Sequence, residues 1–401
     1  MRETAGDGNK IVIVYAITLL AVAFNLRPMI STVSPLLPDI TADLQLSKTL
    51  AGASVTIPVL CFGIFSFLVP KLSKLIHPEL LMTISLGFLA VGGVARSFAT
   101  GPGLFFFATF VIGVAIAVSN VLVPLLIRVK YARQVALMVG LYSVMLSLGP
   151  VIAVAVSRPL AAVPAGDLLT GWRFAAGFWA LIVAVVLVVW VPVALAANQL
   201  LPLVPADAKP ISPLLKNPTA WRCAAVMGLQ SFGFYSVLTW LPTMLQERGV
   251  ELSTGGNLLA LVSIAAIPVT LITPSFLDTR YGTKVLLVTQ GIYLVGLGIL
   301  VTSDSLIVLA AVAVFIGIGQ GAGLAISLHL MSNALDIRWT AAMSAFVQGV
   351  GYLLAALGPS GLGAARTMTG SWTVPIAMIA LCVIGLSTAA LPVIRSLKEP
   401  R

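Results

Sequence analysis

The stretch at residues 21–38, AVAFNLRPMISTVSPLLP, decides how the rest of this sequence is interpreted. It is predominantly apolar, as a membrane-spanning helix must be, yet it carries an arginine, Arg27, well inside that helix. A charge at such a depth costs roughly 2.5–3.5 kcal/mol on insertion scales, and intramembrane charges usually serve a function. The stretch therefore predicts a membrane protein whose first helix presents a cation to a negatively charged group.

The composition extends this interpretation to the whole chain. Of its 401 residues 59% are hydrophobic and 9% are charged, whereas a soluble domain has about 25% charged residues. Twelve apolar segments are long enough for the ~30 Å hydrocarbon core of a bilayer. We therefore predict an all-α polytopic membrane protein with twelve transmembrane helices, at residues 11–37, 49–70, 79–98, 103–127, 134–162, 173–197, 220–242, 255–277, 284–302, 305–330, 340–364 and 372–394.

The net charge of +10 would also suit a nucleic-acid-binding protein. However, the basic residues lie mainly between the apolar segments, and Lys and Arg concentrate in the cytoplasmic loops of membrane proteins. If the N-terminus is cytoplasmic, most of the 23 lysines and arginines lie on the cytoplasmic side. We therefore expect the chain to lie in a lipid bilayer with both termini on the cytoplasmic side. We expect no nucleic-acid partner.

The two halves of the chain resemble each other. The tripeptide ending in Pro38 resembles the one ending in Pro242, 204 residues later, and an offset of 204 makes Ser231 the counterpart of Arg27. Duplicated six-helix halves are typical of transporters that bind their substrate near the bilayer midplane. The proline-rich segment between the halves reads as a linker. The predicted domains are an N-terminal bundle at 1–197, a cytoplasmic linker at 198–219 and a C-terminal bundle at 220–401.

Four short motifs point to a family. They are NLRP at 25–28, SPLLP at 34–38, WLP at 240–242 and FVQG at 346–349. With them, nearly the whole chain resembles the major facilitator superfamily, and more narrowly its cyanate-porter and 2-nitroimidazole-exporter family. The resemblance implies the major facilitator fold, two pseudo-symmetric six-helix bundles, in a monomer of the bacterial inner membrane. It also implies that spans one, four, seven and ten line a substrate cavity.

A further motif of the superfamily, Asp-x-Arg-x-Gly-x-Lys, occurs between predicted spans eight and nine. Asp278, Arg280, Gly282 and Lys284 match it, and the resemblance implies that they act in gating and conformational change. The equivalent loop of the first half, at residues 72–78, has neither the acid nor the glycine. The sequence therefore does not predict the same gating motif on the cytoplasmic side of the first half.

The acidic residues favour an anion as the ligand of Arg27. All thirteen are predicted in tails, the linker, loops or span ends, so none is expected at the depth of Arg27. A guanidinium holds a planar anion with two parallel hydrogen bonds. Alternatively, Arg27 bonds backbone carbonyls freed by Pro28 and stabilises a kink. The absence of a predicted acidic residue at this depth also argues against a pump for lipophilic cations and against proton coupling through Asp or Glu. His329 is predicted to be interfacial.

Polar and aromatic side chains in the predicted cavity-lining spans are the other candidates for substrate binding. Each of them has an alternative role, because a polar side chain can bond a neighbouring helix and Trp240 can anchor at the membrane interface. The candidates are Asn25, Asn120, Tyr142, Gln230, Ser231, Tyr235, Trp240, Gln320, Gln348 and Tyr352.

These features predict a secondary transporter that moves a small anion or a small polar planar organic solute by alternating access, with Arg27 as the central anion-binding residue. The first alternative is a multidrug-type exporter of neutral aromatic compounds such as 2-nitroimidazoles. The second is a membrane receptor that has the same fold and does not transport. The sequence contains no metal-ligand cluster, nucleophile–base pair or phosphate-binding loop, so we predict neither an enzyme nor a cofactor.

Overall fold

The computed structural model describes residues 2–46, 48–163, 169–200 and 209–397, which are helical with no strand in these ranges. The chain forms two compact units. The first contains Met1–Pro210 and Ile337–Ala345, and the second contains Ile211–Asp336 and Phe346–Arg401. Residues 201–208 of the predicted linker lie outside the described ranges.

Helix lengths agree with a membrane protein. Among the described residues, eleven helices are long and apolar enough to cross a bilayer, and the predicted second span contains a shorter apolar helix at Ala53–Ser66. The first unit consists of α1 Arg2–Asn25, α2 Pro28–Ser31, α3 Val33–Asp43, α4 Lys48–Ser66, α5 Val69–Leu75, α6 Pro78–Ser97, α7 Pro102–Lys130, α8 Val135–Ala161 and α9 Trp172–Leu200.

The second unit has the same order of long helices. After a 3₁₀ turn at Ser212–Lys216, its helices are α10 Pro218–Gln246, α11 Leu252–Ile272, α12 Pro274–Leu277, α13 Gly282–Thr302, α14 Leu306–Asn333, the part of α15 (Thr340–Ala355) from Phe346 onward, α16 Leu357–Thr369 and α17 Thr373–Ser396. Asn217 caps α10, because its side-chain oxygen accepts hydrogen bonds from the backbone of Thr219 and Ala220.

Four predicted spans are interrupted near a proline. α1 gives way to α2 at Pro28, α4 to α5 before Pro70, α11 to α12 at Pro274, and α15 to α16 before Pro359. Proline has no N–H and its ring clashes with the carbonyl four residues earlier. Pro242 nevertheless lies inside the continuous helix α10, so proline alone does not decide a break. The single helices predicted at 11–37, 49–70, 255–277 and 340–364 are each divided.

Equivalent helices pack together within each unit. In the first unit α6 packs on α7 and α9, α4 packs on α7, and α1 packs on α8 and α9. In the second unit α13 packs on α14 and α17, α11 packs on α14, and α10 packs on α16 and α17. The two units therefore have the same internal arrangement, as expected for a duplicated fold.

Two glycines show the register of this duplication. A Cβ at Gly149 on α8 would lie 2.5 Å from the carbonyl oxygen of Phe24, and one at Gly358 on α16 would lie 3.0 Å from the carbonyl oxygen of Phe232. Both glycines let two helices approach closely. Phe24 and Phe232 are 208 residues apart, so the packing aligns Arg27 with Tyr235. The predicted counterpart, Ser231, lies one helical turn earlier, because the offset of 204 does not hold between these helices.

Candidate functional site

Arg27 lies where the first span stops being a helix. α1 ends at Asn25, Arg27 is the residue before α2, and Pro28 is the first residue of that four-residue helix. The Arg27 carbonyl accepts hydrogen bonds from the backbone N–H groups of Ile30 and Ser31, both at 3.0 Å. Only 7% of Arg27 is exposed. The first unit therefore holds a buried guanidinium at a discontinuity, which is where transporters place polar ligands.

The break has a local cause. Pro28 has no N–H to donate to the Phe24 carbonyl four residues earlier, and the close approach of Gly149 covers that carbonyl. The Asn25 side chain bonds back to its own helix, because its Nδ2 donates to the Ala21 carbonyl at 2.8 Å. Its Oδ1 is buried and accepts no hydrogen bond from the described residues. Asn25 is thus held against the last turn of α1 and keeps one acceptor available.

The other two candidates of the first unit are also buried. Asn120 is 1% exposed on α7, and Tyr142 is 2% exposed on α8. α7 packs on α1 and α8, so both side chains belong to the interior around the first span. Asn120 and Tyr142 remain predictions as substrate-binding residues.

In the second unit two buried amides each have a partner within the protein. Gln230 on α10 is 8% exposed and accepts a hydrogen bond from the adjacent Ser231 hydroxyl at 3.1 Å. A Cβ at Gly323 on α14 would lie 3.0 Å from the Gln230 side chain, so α14 packs against it. Gln320, one turn earlier on α14, donates to the Tyr293 hydroxyl at 3.2 Å. Gln230 therefore packs against α14, Gln320 bonds a tyrosine of α13, and each amide has a protein partner.

Tyr235, Gln348 and Tyr352 are between 1% and 2% exposed in the second unit. Trp240 differs from them, since it is half-buried at the far end of α10. Its indole N–H donates to the Pro359 carbonyl at 2.7 Å, and its ring lies 5.7 Å from that of Trp372. These contacts favour the anchoring role of Trp240 over stacking on a ligand.

The loop signature is organised by a histidine. His329, predicted to be interfacial, is 1% exposed, and its Nε2 lies 2.9 Å from a carboxylate oxygen of Asp278. A Cβ at Gly282 would overlap with the Leu277 carbonyl, so the turn needs glycine. Arg280 stacks on Tyr281 at 4.8 Å, whereas Lys284 is exposed. Asp278 and Gly282 thus shape the loop within the second unit, and the gating role of all four residues stays a prediction.

The sequence did not indicate a buried ion pair in the first unit. Glu79 and Lys130, predicted at a span end and in a loop, are 1% and 7% exposed, and their charged atoms are 2.8 Å apart. The second carboxylate oxygen of Glu79 lies 2.8 Å from Nδ1 of the half-exposed His77. Charges this deep are stable only when paired. The pairing joins the first residues of α6 to the end of α7, about fifty positions later, so no local pattern could reveal it.

A second buried arginine was also missed. Arg96, near the end of the predicted span 79–98, is on the last turn of α6 and is 1% exposed. Its Nη2 lies 3.8 Å from Sδ of Met29, which belongs to α2. Arg96 therefore contacts the short helix that begins just after Arg27. A lysine or arginine beside a span end looks like a loop residue in sequence, so only the fold reveals its burial.

Charged residues also tie the first and fifth predicted spans together in both units. Arg158 pairs with Asp39 at 2.7 Å in the first unit, and Arg366 pairs with Glu247 at 2.9 Å in the second. The hydrogen bonds from Arg366 and then from the Trp372 indole lower the pKa of Glu247. Because both pairs join residues 119 positions apart, they are another sign of the duplication.

A cavity of about 520 Å³ lies beside the pair in the first unit, but it does not contain the predicted site. Its charged lining residues are Asp39, Asp43, Arg158 and Arg173. Asp39 pairs with Arg158, and Asp43 pairs with Arg173. Since these charges compensate one another, the cavity has no charge left for a ligand. Among the described residues no group of three or more His, Cys, Asp or Glu could hold a metal ion.

Comparison with known proteins identifies the fold and the class. Residues 13–359 match the family model described as the Major Facilitator Superfamily. The proton:xylose symporter XylE superposes with a TM-score of 0.75 at 13% identity, covering 96% of this chain and 95% of that one. FucP in its outward conformation gives a TM-score of 0.72 at 15% identity, covering 97% of this chain and 100% of that one. The predicted fold is confirmed.

Three bacterial transporters are similar in sequence. The chain is 34% identical to an uncharacterized transporter, YycB, of Bacillus subtilis (strain 168), over 92% of this chain and 91% of that protein. It is 29% identical to a 2-nitroimidazole transporter and 26% identical to the cyanate transport protein CynX, both of Escherichia coli (strain K12). These matches cover 93% of this chain and 93% of the former relative, and 92% of this chain and 94% of the latter. The predicted resemblance to this branch is confirmed.

Proposed function

The chain belongs to the Major Facilitator Superfamily, and we propose that it is a secondary transporter that moves a small anion, or a small polar planar organic solute, by alternating access. Arg27 is the central anion-binding residue in this proposal. One observation carries it: a buried guanidinium stands at the break between α1 and α2. A planar anion suits that group, because a guanidinium can donate two parallel hydrogen bonds to it.

The charge of Arg27 also gives a mechanism. Arg27 gives the site a buried positive charge. A bound anion neutralises that charge. The loaded protein can therefore close around the anion and open to the other side with a smaller electrostatic barrier. Export of an anion is then downhill along an inside-negative potential, whereas import needs a co-transported proton or an exchanged anion. The loop around Asp278 serves as a conformational element in this scheme.

A second candidate substrate is a neutral aromatic such as a nitroimidazole. One relative is a 2-nitroimidazole transporter, and it matches 93% of this chain. In that case Arg27 stabilises the broken first span through backbone carbonyls and takes no part in binding. The two candidates differ in whether Arg27 is needed for transport.

The test is flux into proteoliposomes of purified protein, for wild type and Arg27→Gln. We would measure uptake of nitrate, cyanate and formate as sodium salts, and of 2-nitroimidazole, at set membrane potentials. We expect uptake of at least one anion by wild type and its loss in Arg27→Gln. Arg158→Gln is the matched control, because it removes one positive charge from a half-exposed ion pair in the same unit.

Two results would contradict the anion proposal. One is anion uptake at the same rate in wild type and Arg27→Gln. The other is uptake of 2-nitroimidazole alone, independent of the membrane potential and equal in both proteins. Each would support the neutral-aromatic candidate and give Arg27 a structural role.

A further inference from the structure

Arg96 is a buried cation whose charge the described part of the protein leaves uncompensated. Its side chain is on the last turn of α6 and is 1% exposed. Among the described residues, its guanidinium has one hydrogen-bond acceptor, the sulfur of Met29 at 3.8 Å, and no carboxylate within 4.0 Å. A thioether is a weak acceptor, so most of the donor capacity of this guanidinium is unused.

An arginine cannot avoid this cost by losing its proton, because it stays protonated in proteins. The carbonyl end of α6 offsets part of the charge through the helix dipole. It does not replace a counter-ion, since desolvating a charge costs more than such a partial interaction returns. A buried arginine of this kind is therefore best explained by an anion that binds to it.

The second unit shows that the fold does not need an arginine here. A Cβ at Gly92 would lie 3.3 Å from the Ala108 carbonyl, and one at Gly296 would lie 3.6 Å from the Val312 carbonyl. These equivalent contacts set an offset of 204 between α6 and α13. At that offset the counterpart of Arg96 is Leu300, which is buried. An apolar side chain thus fills the same place, so packing alone does not explain Arg96.

Met29 occupies the space in front of the Arg96 guanidinium. It is fully buried, two residues after Arg27, and its methyl group rests on α6 where Gly93 has no side chain. Methionine has three rotatable bonds and adapts to several packings. Withdrawal of this one side chain would remove the acceptor that the Arg96 guanidinium has among the described residues and leave its donors free for an anion.

We propose that Arg96 is a second anion-binding residue, and that it takes the anion when Met29 withdraws. This inference rests on the proposed function and extends it: Arg27 precedes Pro28 and Met29 in the chain, Arg96 contacts Met29, and the two arginines together select a small planar oxyanion or carboxylate. Two guanidinium groups favour anions that offer several acceptor oxygens. Monatomic anions such as chloride offer no such geometry and are excluded.

The experiment measures anion-induced thermal stabilisation of the purified protein in detergent. The probes are sodium nitrate and sodium formate, with sodium chloride at the same ionic strength as the reference. The variants are Arg96→Met, Arg96→Lys and Met29→Ala, and Arg158→Met is the matched control. We expect Arg96→Met to keep or raise the melting temperature without anion, because an apolar side chain replaces an uncompensated charge.

We expect the apparent affinity for the anion to fall about ten- to hundredfold in Arg96→Met, the usual range for losing a hydrogen bond between charged groups. Arg96→Lys keeps the positive charge but loses the planar guanidinium that donates two parallel hydrogen bonds, so its affinity for the anion should be intermediate. Met29→Ala should act in the opposite direction. It lowers the melting temperature without anion, because it leaves a cavity, yet it increases the affinity, because the anion no longer displaces a side chain.

The outcomes separate this inference from the proposed function. If an anion stabilises wild type and Arg96→Met alike but not Arg27→Gln, Arg96 has no role in binding and the proposed function stands. If stabilisation is lost in Arg96→Met and kept in Arg27→Gln, the role of Arg27 fails and that of Arg96 stands. If neither probe stabilises wild type, both fail. If Arg96→Met does not fold, reduced affinity in Met29→Ala overturns the inference.

Discussion

The first predicted span and its counterpart, α10, have equivalent places in the two units but different backbones. The first span is divided into α1, α2 and α3 around Arg27, whereas α10 runs unbroken from Pro218 to Gln246. In the first unit Gly149 on α8 approaches the Phe24 carbonyl, and in the second unit Gly358 on α16 approaches the Phe232 carbonyl. The packing is thus shared, and the break belongs to the first unit alone.

The difference indicates that the two units have kept the same packing but differ in the backbone and the buried charges of this helix. Four residues after Phe24 stands Pro28, which cannot donate a backbone hydrogen bond. Four residues after Phe232 stands Ser236, which can, so α10 continues. The first unit combines its broken helix with two buried arginines and a buried ion pair, whereas the corresponding helices of the second unit carry neutral amides and tyrosines. Four predictions test this comparison, from the largest expected effect to the smallest.

The largest effect is expected for the buried ion pair of the first unit. Glu79→Gln removes the carboxylate that compensates Lys130, and breaking a buried pair costs about 3–5 kcal/mol of stability. At the offset of 204 the second unit has Thr283 and Ala334 at these places. The double variant Glu79→Leu with Lys130→Met should therefore recover most of the loss. Melting temperatures in detergent check this, and a double variant as unstable as Glu79→Gln would contradict it.

The next effect separates Arg27 from its counterpart in the packing, Tyr235. Arg27→Gln should lower the apparent affinity for the transported anion by roughly 10²-fold, because two charge-assisted hydrogen bonds are lost. Tyr235→Phe removes one neutral hydroxyl and should cost only about two- to tenfold. Concentration-dependent uptake into proteoliposomes measures both. Equal losses in the two variants would show that the units contribute alike.

The third effect concerns the glycines that receive the two phenylalanine carbonyls. Gly149→Ala should destabilise the first unit by about 1–3 kcal/mol, because its Cβ would lie 2.5 Å from the backbone oxygen of Phe24. Gly358→Ala should cost less, because its nearest atom is the Ser236 hydroxyl, which can rotate away. Thermal unfolding of both variants checks the order. The reverse order would mean that the broken span is the more adaptable of the two.

The smallest effect is the pH dependence of the pair in the second unit. Hydrogen bonds from Arg366 and Trp372 lower the pKa of Glu247 from its ordinary value of 4.5. The pair therefore adds stability above about pH 4.5 and loses it as the pH falls through the lowered pKa. Since both side chains are partly exposed, the gain is under about 1 kcal/mol. The difference in melting temperature between wild type and Glu247→Gln should vanish below that pKa, and a constant difference from pH 7 to pH 3 would contradict this.

Much of the fold followed from the sequence. Apolar segments of about 20 residues predicted the helices, since the bilayer sets their length and each helix bonds its own backbone. The main errors were four spans predicted as single helices and a repeat register one turn off at Arg27. Prolines marked the four breaks, but Pro242 shows that a proline in a membrane helix can also be tolerated. The presence of a proline therefore did not by itself tell which helices are divided.

The buried charged residues were predicted less completely than the helices. Arg27 was found because a charge within an apolar segment is a local signal. Arg96, Glu79 and Lys130 were not found, because charges at helix ends look the same whether they face water or the interior. His329 was expected at an interface and instead holds Asp278 from a buried position. Each of these residues gained its surroundings from a helix distant in the chain.

The sequence by itself determined the membrane-spanning class, the duplicated halves, the family and the charge at residue 27. These features depend on the length, composition and local order of the sequence, because the thickness and apolarity of the hydrocarbon core select segments by those properties. Only the tertiary structure decided the division of the first span, the contact between Arg96 and Met29, and the pairing of Glu79 with Lys130. Electrostatics and packing act through space, so they depend on residues that the chain order separates.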